Sequence, residues 1–355
     1  MKKIKYPVRF LLLILLTTAT AVRSAAPDLS NPAAPKKNKT LIAVGDLNLA
    51  DGLGDRILKD PAYPWSKVKD ILDSADILVG NLEAPLSARG KMLVEKTWLL
   101  RADPRTVNAL VAAGFDVLTL ANNHIMDYGP IALQDTLETL KANKLAYTGA
   151  GMNLNEARQP ALVTTPDDVT LAFLAYSLTF PEQFWAGPNS PGTPYGNPAV
   201  FLNDIKKAKE IADLVVVSFH WSSELLNYAK PYQKTMARQC IDAGASIVLG
   251  HHPHVPQGLE VYHGGLIAYS LGNFAFGSLS GKVKDGIILA VDFDKSGPLR
   301  ARIYPVNINN YEVAFQPEQR HGWDAERVLR DLRSFSGEFG TQIKSEGDYG
   351  TVAVR

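Results

Sequence analysis

The chain is expected to fold as an α/β protein with mostly parallel sheets covered by helices. Two observations predict this. Short apolar runs of strand length alternate with amphipathic stretches of helical period. In addition, five of those runs end abruptly in glycine, aspartate, asparagine or histidine. Open α/β sheets gather such side chains outside the carboxyl ends of their strands.

Taken in order, residues 41–44, 77–79 and 117–120 read as strands, followed by 171–176, 214–219, 246–249 and 266–269. Residues 64–74, 104–113, 131–142, 202–212 and 232–243 carry helical periodicity between them. Two late β-rich runs, 286–293 and 299–306, flank Asp294-Lys295-Ser296-Gly297-Pro298, which is turn chemistry and predicts a hairpin. Beyond about residue 310 the chain is more polar, with one helix expected around 323–335. Residues 176–198, rich in Pro, Gly and aromatics, are too apolar for a plain linker and suit a packed surface loop beside the active face. No repeat of solenoid period is present.

With 355 residues the chain can bury a substantial core. Its 37 basic and 36 acidic residues nearly cancel, so the broad positive field of a nucleic-acid binder is absent and no nucleic-acid partner is expected. The first nine residues include Lys2, Lys3, Lys5 and Arg9, and an apolar run follows to about Val22. That run falls short of the roughly 20 apolar residues of a membrane span. Val22 and Ser24 suit the −3 and −1 positions of a cleavage site, which predicts a signal peptide over 1–24 and export to the periplasm or beyond. An uncleaved signal would instead leave the protein membrane-anchored. Residues 25–38 read as a flexible linker, 39–310 as the main domain and 311–355 as a C-terminal extension packing on it. Cys240, the only cysteine, rules out an internal disulfide and is expected to be a buried structural thiol.

The strand ends carry the chemistry. Residues 42–44 run into Gly45-Asp46-Leu47-Asn48, and residues 78–79 into Gly80-Asn81-Leu82-Glu83. Residues 118–120 run into Ala121-Asn122-Asn123-His124, residues 215–219 into His220, and residues 247–249 into Gly250-His251-His252-Pro253-His254. Singly, each has an ordinary explanation: a capping aspartate, an asparagine turn, a core histidine. Clustering argues against those, because five of the seven histidines fall in three strand-end motifs. Carboxylates hold and bridge divalent ions, imidazoles suit Zn, Fe and Mn, and amide oxygens add a neutral ligand. Two metals about 3.5–4 Å apart can lower the pKa of a shared water and clamp a phosphoryl group. A nearby histidine outside the ligand set can protonate the leaving oxygen.

The ordered motifs Gly45-Asp46, Asn81-Leu82-Glu83, Ala121-Asn122-Asn123-His124, His220-Trp221, Gly250 to Val255 and Tyr269 to Phe274 resemble those of the CapA-type proteins of capsule and poly-γ-glutamate biosynthesis. The resemblance spans roughly residues 40–280. It implies the calcineurin-like metallophosphoesterase superfamily and its four-layer α-β-β-α sandwich. By position it makes Asp46, Asn123, His220, His252 and His254 metal ligands and His124 the proton donor; Glu83 is taken as the bridging carboxylate, because Asn81 fills the place of the usual aspartate. It implies two divalent ions, of Mn, Zn or Fe. Lys96 and Arg101 resemble the family's K-x-x-x-F-R-A stretch, with Leu100 in the aromatic place, and suit contact with an anionic substrate. Asp127 is expected to fix the turn that aims His124. His251 is expected to face away from the site, and Gly272-Asn273 to be a turn.

Three departures from the pattern bear on chemistry. Asn48 stands where the superfamily has histidine, a poorer ligand that is left as a substrate contact. Asn81 stands where an aspartate is usual, and Ser222 follows Trp221 in place of glycine. The resemblance sets the protein in an anionic surface-polymer pathway, with the polymer or its precursor and membrane-embedded synthesis proteins as partners. Two functions are open: a metal-dependent phosphoesterase-like enzyme, or a non-catalytic component binding metal and polymer.

Overall fold

A computed structural model of the chain describes residues 38–355. The expected signal peptide, and all of the expected linker but its last residue, lie outside the described residues. The chain builds one sheet, then a second, and returns to the first. It begins with β1 (Lys39–Asn48), β2 (Ile77–Leu82), β3 (Val117–Thr119) and β4 (Ala146–Thr148). The second sheet follows as β5 (Ala161–Thr164), β6 (Thr170–Ser177), β7 (Leu214–His220), β8 (Ile247–His251), β9 (Leu259–Tyr262) and β10 (Gly265–Ala268). The return comprises β11 (Asn273–Phe276), β12 (Asp285–Asp294), β13 (Gly297–Asn307), β14 (Glu318–Gln319), β15 (Lys344–Glu346) and β16 (Tyr349–Ala353).

The first sheet runs β15-β16-β13-β12-β1-β2-β3-β4, with β11 alongside β1 and β14 alongside β13; the second runs β5-β6-β7-β8-β10-β9. Strands β1 to β4 are mutually parallel, as are β6, β7, β8 and β10. The helices Val107–Ala113, Gly129–Ala142, Pro198–Lys209 and Pro231–Asp242 lie in the crossovers from β2 to β3, β3 to β4, β6 to β7 and β7 to β8, whereas β9 connects β8 to β10. The hairpin appears as β12–β13, closed by Asp294 opposite Gly297 and by the Ser296 N–H donating to Asp294 Oδ1 at 2.8 Å.

Alternation along the strands sorts the apolar residues into layers. Leu41, Ala43, Ile77 and Val79 of the first sheet meet Leu171, Phe173, Leu214, Val216, Ile247 and Leu249 of the second in one core between the sheets. Burying each of the larger side chains contributes roughly 1.5–3 kcal/mol. The opposite faces are covered separately. Ile42, Leu78 and Leu118 pack with Leu110, Leu133 and Leu137 outside the first sheet. Val215, Val217 and Val248 pack with Phe201, Ile205, Met236 and Cys240 outside the second. This is the expected α-β-β-α order. Cys240 is fully buried in the outer core, and burial pushes its thiol well up.

Two sequence expectations change. Residues 64–74 form no continuous helix but a 3-10 turn, Tyr63–Trp65, and a four-residue helix, Lys69–Leu72. Trp65 is drawn inward, its indole N–H donating to the Ala109 carbonyl at 2.7 Å, and so breaks the run. The stretch around Asn273 is not a bare turn but opens β11, paired in parallel with β1. Residues beyond 310 join the fold directly, because β16 pairs with β13 and the helix Gly322–Ser336 places Val328, Leu329 and Leu332 in the core between the sheets.

Candidate metal centre

The site forms where the carboxyl ends of β1, β2, β7 and β8 meet. In β1 the register slips between Ala43 and Asp46, three residues on β1 matching two on β2. This bulge returns Asp46 to the inner face of Leu41 and Ala43, whereas strict alternation would have turned it outward. Glycines make room for the approach: a Cβ on Gly45 would lie 1.9 Å from the Gly272 carbonyl oxygen, and one on Gly250 would lie 1.9 Å from that of Tyr269. Asn81 in β2, and Glu83 one residue past its end, follow the alternation of Ile77 and Val79.

Asp46 is the hub. Its Oδ1 accepts from Asn81 Nδ2 at 2.8 Å and lies 3.0 Å from His251 Nδ1. Its Oδ2 accepts the His252 N–H at 3.2 Å and lies 3.4 Å from His254 Nδ1. Burial works to raise this carboxyl, but the bonds from His251 and His254 overcome it and hold Asp46 well below the usual carboxylate range. His220 Nε2 lies 2.8 Å from Asn123 Oδ1 and 3.3 Å from Glu83 Oε1. The His220 and His252 rings are 4.8 Å apart, and both residues are held neutral by burial, with His252 pushed down to about 3.

Glu83 sits at the centre of two ligand groups. One is Asp46, Glu83 and His220; the other is Glu83, His252 and His254; within each, one donor atom per residue lies within 4.8 Å of the others. Glu83 is fully buried, and neither of its oxygens has a hydrogen-bond partner; His252 Nδ1 is likewise buried and unpartnered. Burial, then the charge of Asp46, pushes Glu83 well above the usual range. His254 moves up to about 10: burial opposes the charge, but Glu83, Asp46 and Asn273 Oδ1 at 2.7 Å outweigh it. Burial and two neighbouring carboxyl groups thus favour a retained proton on Glu83 and on His254 unless other positive charge is supplied. Unpartnered buried donors in a mixed oxygen and nitrogen set fit divalent cations.

His124 stands beside this set. Its Nδ1 lies 2.7 Å from Asp127 Oδ2, which also accepts the Leu100 N–H at 2.7 Å. Burial lowers the imidazole, opposed by Asp127 and assisted by Lys96. With Nδ1 held by Asp127, Nε2 is the nitrogen left for proton transfer.

The remaining candidates sit differently from a substrate-facing cluster. Lys96 Nζ donates to Asp127 Oδ1 at 2.7 Å and to the Asn123 carbonyl, and lies 3.3 Å from His124 Nδ1. It braces the loop that aims His124. Arg101 is exposed and stacks its guanidinium 4.0 Å from the Tyr128 ring centre. Asn48 is fully buried, its Oδ1 accepting the Ala50 N–H at 3.0 Å and its Nδ2 unpartnered. Its oxygen thus already serves the backbone, and its unpartnered amide nitrogen is a donor.

Three contributors escaped sequence reasoning. His251 points toward the site, not away from it. It is in register with His220 across β7 and β8, so the two side chains share the inner face. Asn122 pins the motif: its Oδ1 accepts from His124 N and Ile125 N at 3.1 and 2.9 Å, and its Nδ2 donates to Asn81 Oδ1 and the Leu82 carbonyl at 3.2 and 2.8 Å. Asn273, on β11 opposite Asp46, positions His254. Strand register was the signal for His251, and the duplicated asparagine for Asn122.

The family model of the bacterial capsule synthesis protein PGA_cap matches residues 40–278. The chain is 34% identical over 335 residues to the capsule biosynthesis protein CapA of Bacillus anthracis, covering 91% of this chain and 79% of that one. It is 34% identical over 266 residues to the PGA biosynthesis protein CapA of Bacillus subtilis, covering 75% and 70%. Among solved structures, the calcineurin-like phosphoesterase YfkN of Bacillus subtilis aligns with a TM-score of 0.41 at 14% identity, over 74% of this chain and 88% of that one. The strand-end motifs that build the site all fall within the matched segment, and the chain belongs to the bacterial capsule synthesis family to which the PGA_cap description applies.

Proposed function

We propose that this protein is an exported metal-dependent phosphoesterase acting in the assembly of an anionic surface polymer. One observation carries the reading: the buried, unpartnered Glu83 carboxylate shared by two ligand groups. Asp46, Glu83, Asn123 and His220 would hold one ion, and Glu83, His252 and His254 a second. When bound, such a pair activates water and offsets the charge of a phosphoryl group. The chain's own residues do the rest. His251 and Asn81 fix the rotamer of Asp46, and Asn122 and Lys96 fix the turn that presents His124. Asp127, at Nδ1, stabilises the protonated His124, which passes its Nε2 proton to the leaving oxygen and is left neutral.

The second reading, a non-catalytic component that binds metal and polymer, is favoured by Asn48, a neutral amide whose oxygen already accepts the Ala50 N–H. Purified protein loaded with Mn²⁺ or Zn²⁺ and given an aryl phosphate separates the two. Turnover that His124→Ala abolishes without loss of metal supports the enzyme. Full metal content without turnover supports the binding component.

A further inference from the structure

We propose that the segment between β6 and the helix Pro198–Lys209 is a glycan-binding ledge beside the metal centre, on which sugar rings of the polymer stack. This deepens the polymer-handling reading above and rests on it. Phe180 is 69% exposed and Tyr195 42% exposed, with Trp185 half-buried between them. The Phe180 and Trp185 ring centres are 5.8 Å apart, and those of Trp185 and Tyr195 are 4.2 Å apart. Contiguous exposed aromatic residues of this kind mark binding surfaces.

The ledge is held rigidly. The Trp185 indole N–H donates to the Thr179 carbonyl at 3.2 Å. Ala186 N donates to Thr193 O and Thr193 N to Phe184 O, each at 2.8 Å. Its place is set by strand register. His220 of the metal centre is paired with Ser177, and Ser177 is bridged in turn to Tyr195. Two strand spacings, about 10 Å, therefore separate the Tyr195 backbone from a metal-ligand candidate. On the other side, Phe184 lies 5.1 Å beneath Lys96, the residue that braces His124 and Asp127.

Charge decides between polymer classes. Residues 178–197 contain a single charged residue, Glu182, and no lysine or arginine. Lys96, the cation that lies over Phe184, is paired with Asp127. A polyglutamate chain carries a carboxylate on every residue and needs cations along its path. Pyranose rings present flat C–H faces that stack on aromatic rings and need none. The ledge fits a saccharide strand.

Affinity electrophoresis of the full chain tests this, in gels cast with dextran, a β-1,3-glucan, a glycan-phosphate teichoic acid, or poly-γ-glutamate. Retardation is expected in at least one glycan gel and not in poly-γ-glutamate. Phe180→Ala, at an exposed position, should weaken that retardation at least threefold, and Trp185→Ala with Tyr195→Ala by about tenfold or more. Unchanged thermal unfolding qualifies the double variant, and Phe180→Ala stands alone if it unfolds. The ledge is overturned if no glycan retards the wild type, if the variants run as wild type, or if they lose retardation in poly-γ-glutamate instead. Metal content and aryl phosphate turnover on the same samples report on the phosphoesterase reading separately.

Discussion

Glu83 Oε1 lies 3.3 Å from His220 Nε2, and neither oxygen of that buried carboxylate has a hydrogen-bond partner. A group so placed costs stability unless a cation joins it. Glu83→Gln should therefore stabilise the chelator-treated protein by about 1–3 kcal/mol while sharply lowering its metal content. Urea unfolding with and without chelator, beside metal analysis, checks both halves. A variant less stable than wild type in chelator would contradict the assignment.

His251 Nδ1, 3.0 Å from Asp46 Oδ1, holds the hub carboxylate in place. Replacing it by alanine should weaken metal binding about 10–100-fold, the usual effect of losing a ligand's supporting bond. Titration with Zn²⁺ against a competing chelator would show it. Wild-type affinity would mean that Asp46 is positioned without it.

Asp127 accepts from three groups at once, Lys96 Nζ, Leu100 N and His124 Nδ1. Lys96→Ala leaves the fully buried Asp127 without its cation and should destabilise the fold by about 3–5 kcal/mol, far more than loss of a surface lysine would. Thermal unfolding measures this. A change under about 0.5 kcal/mol would place Lys96 with the solvated charges.

Tyr176 offers a test outside the site. Its hydroxyl donates to Asp204 Oδ2 at 2.9 Å, and burial, then the Asp204 charge, pushes the phenol well above its usual range. The folded state thus keeps a proton that the unfolded chain releases above about pH 10. Stability from this group is complete below that pH and falls as pH rises through it. Tyr176→Phe should cost about 1 kcal/mol at pH 7 and make the alkaline decline shallower. Parallel declines in the two proteins would rule the phenol out.

Much of the fold was legible because period-2 apolar runs and their polar ends are local properties. The layers followed, since alternation alone separates Leu41 and Ala43 from Ile42. Features that depend on pairing between distant segments were not legible. His251 was misread because its facing is decided by register with His220, 31 positions earlier in the chain. Lys96 carries a motif suited to anions, yet it is drawn to Asp127 by a loop closure that no local pattern announces. Asn48 could be a ligand by type, but its oxygen is claimed by the turn two residues on.

Two ligand groups share Glu83, so we propose that the centre would hold two divalent ions, and metal stoichiometry decides it. Protein purified after Mn²⁺ or Zn²⁺ supplementation and exhaustive desalting should carry close to two divalent ions per chain, and Glu83→Gln one or fewer. A metal-free wild type, or a Glu83→Gln variant with the wild-type complement, would contradict the account.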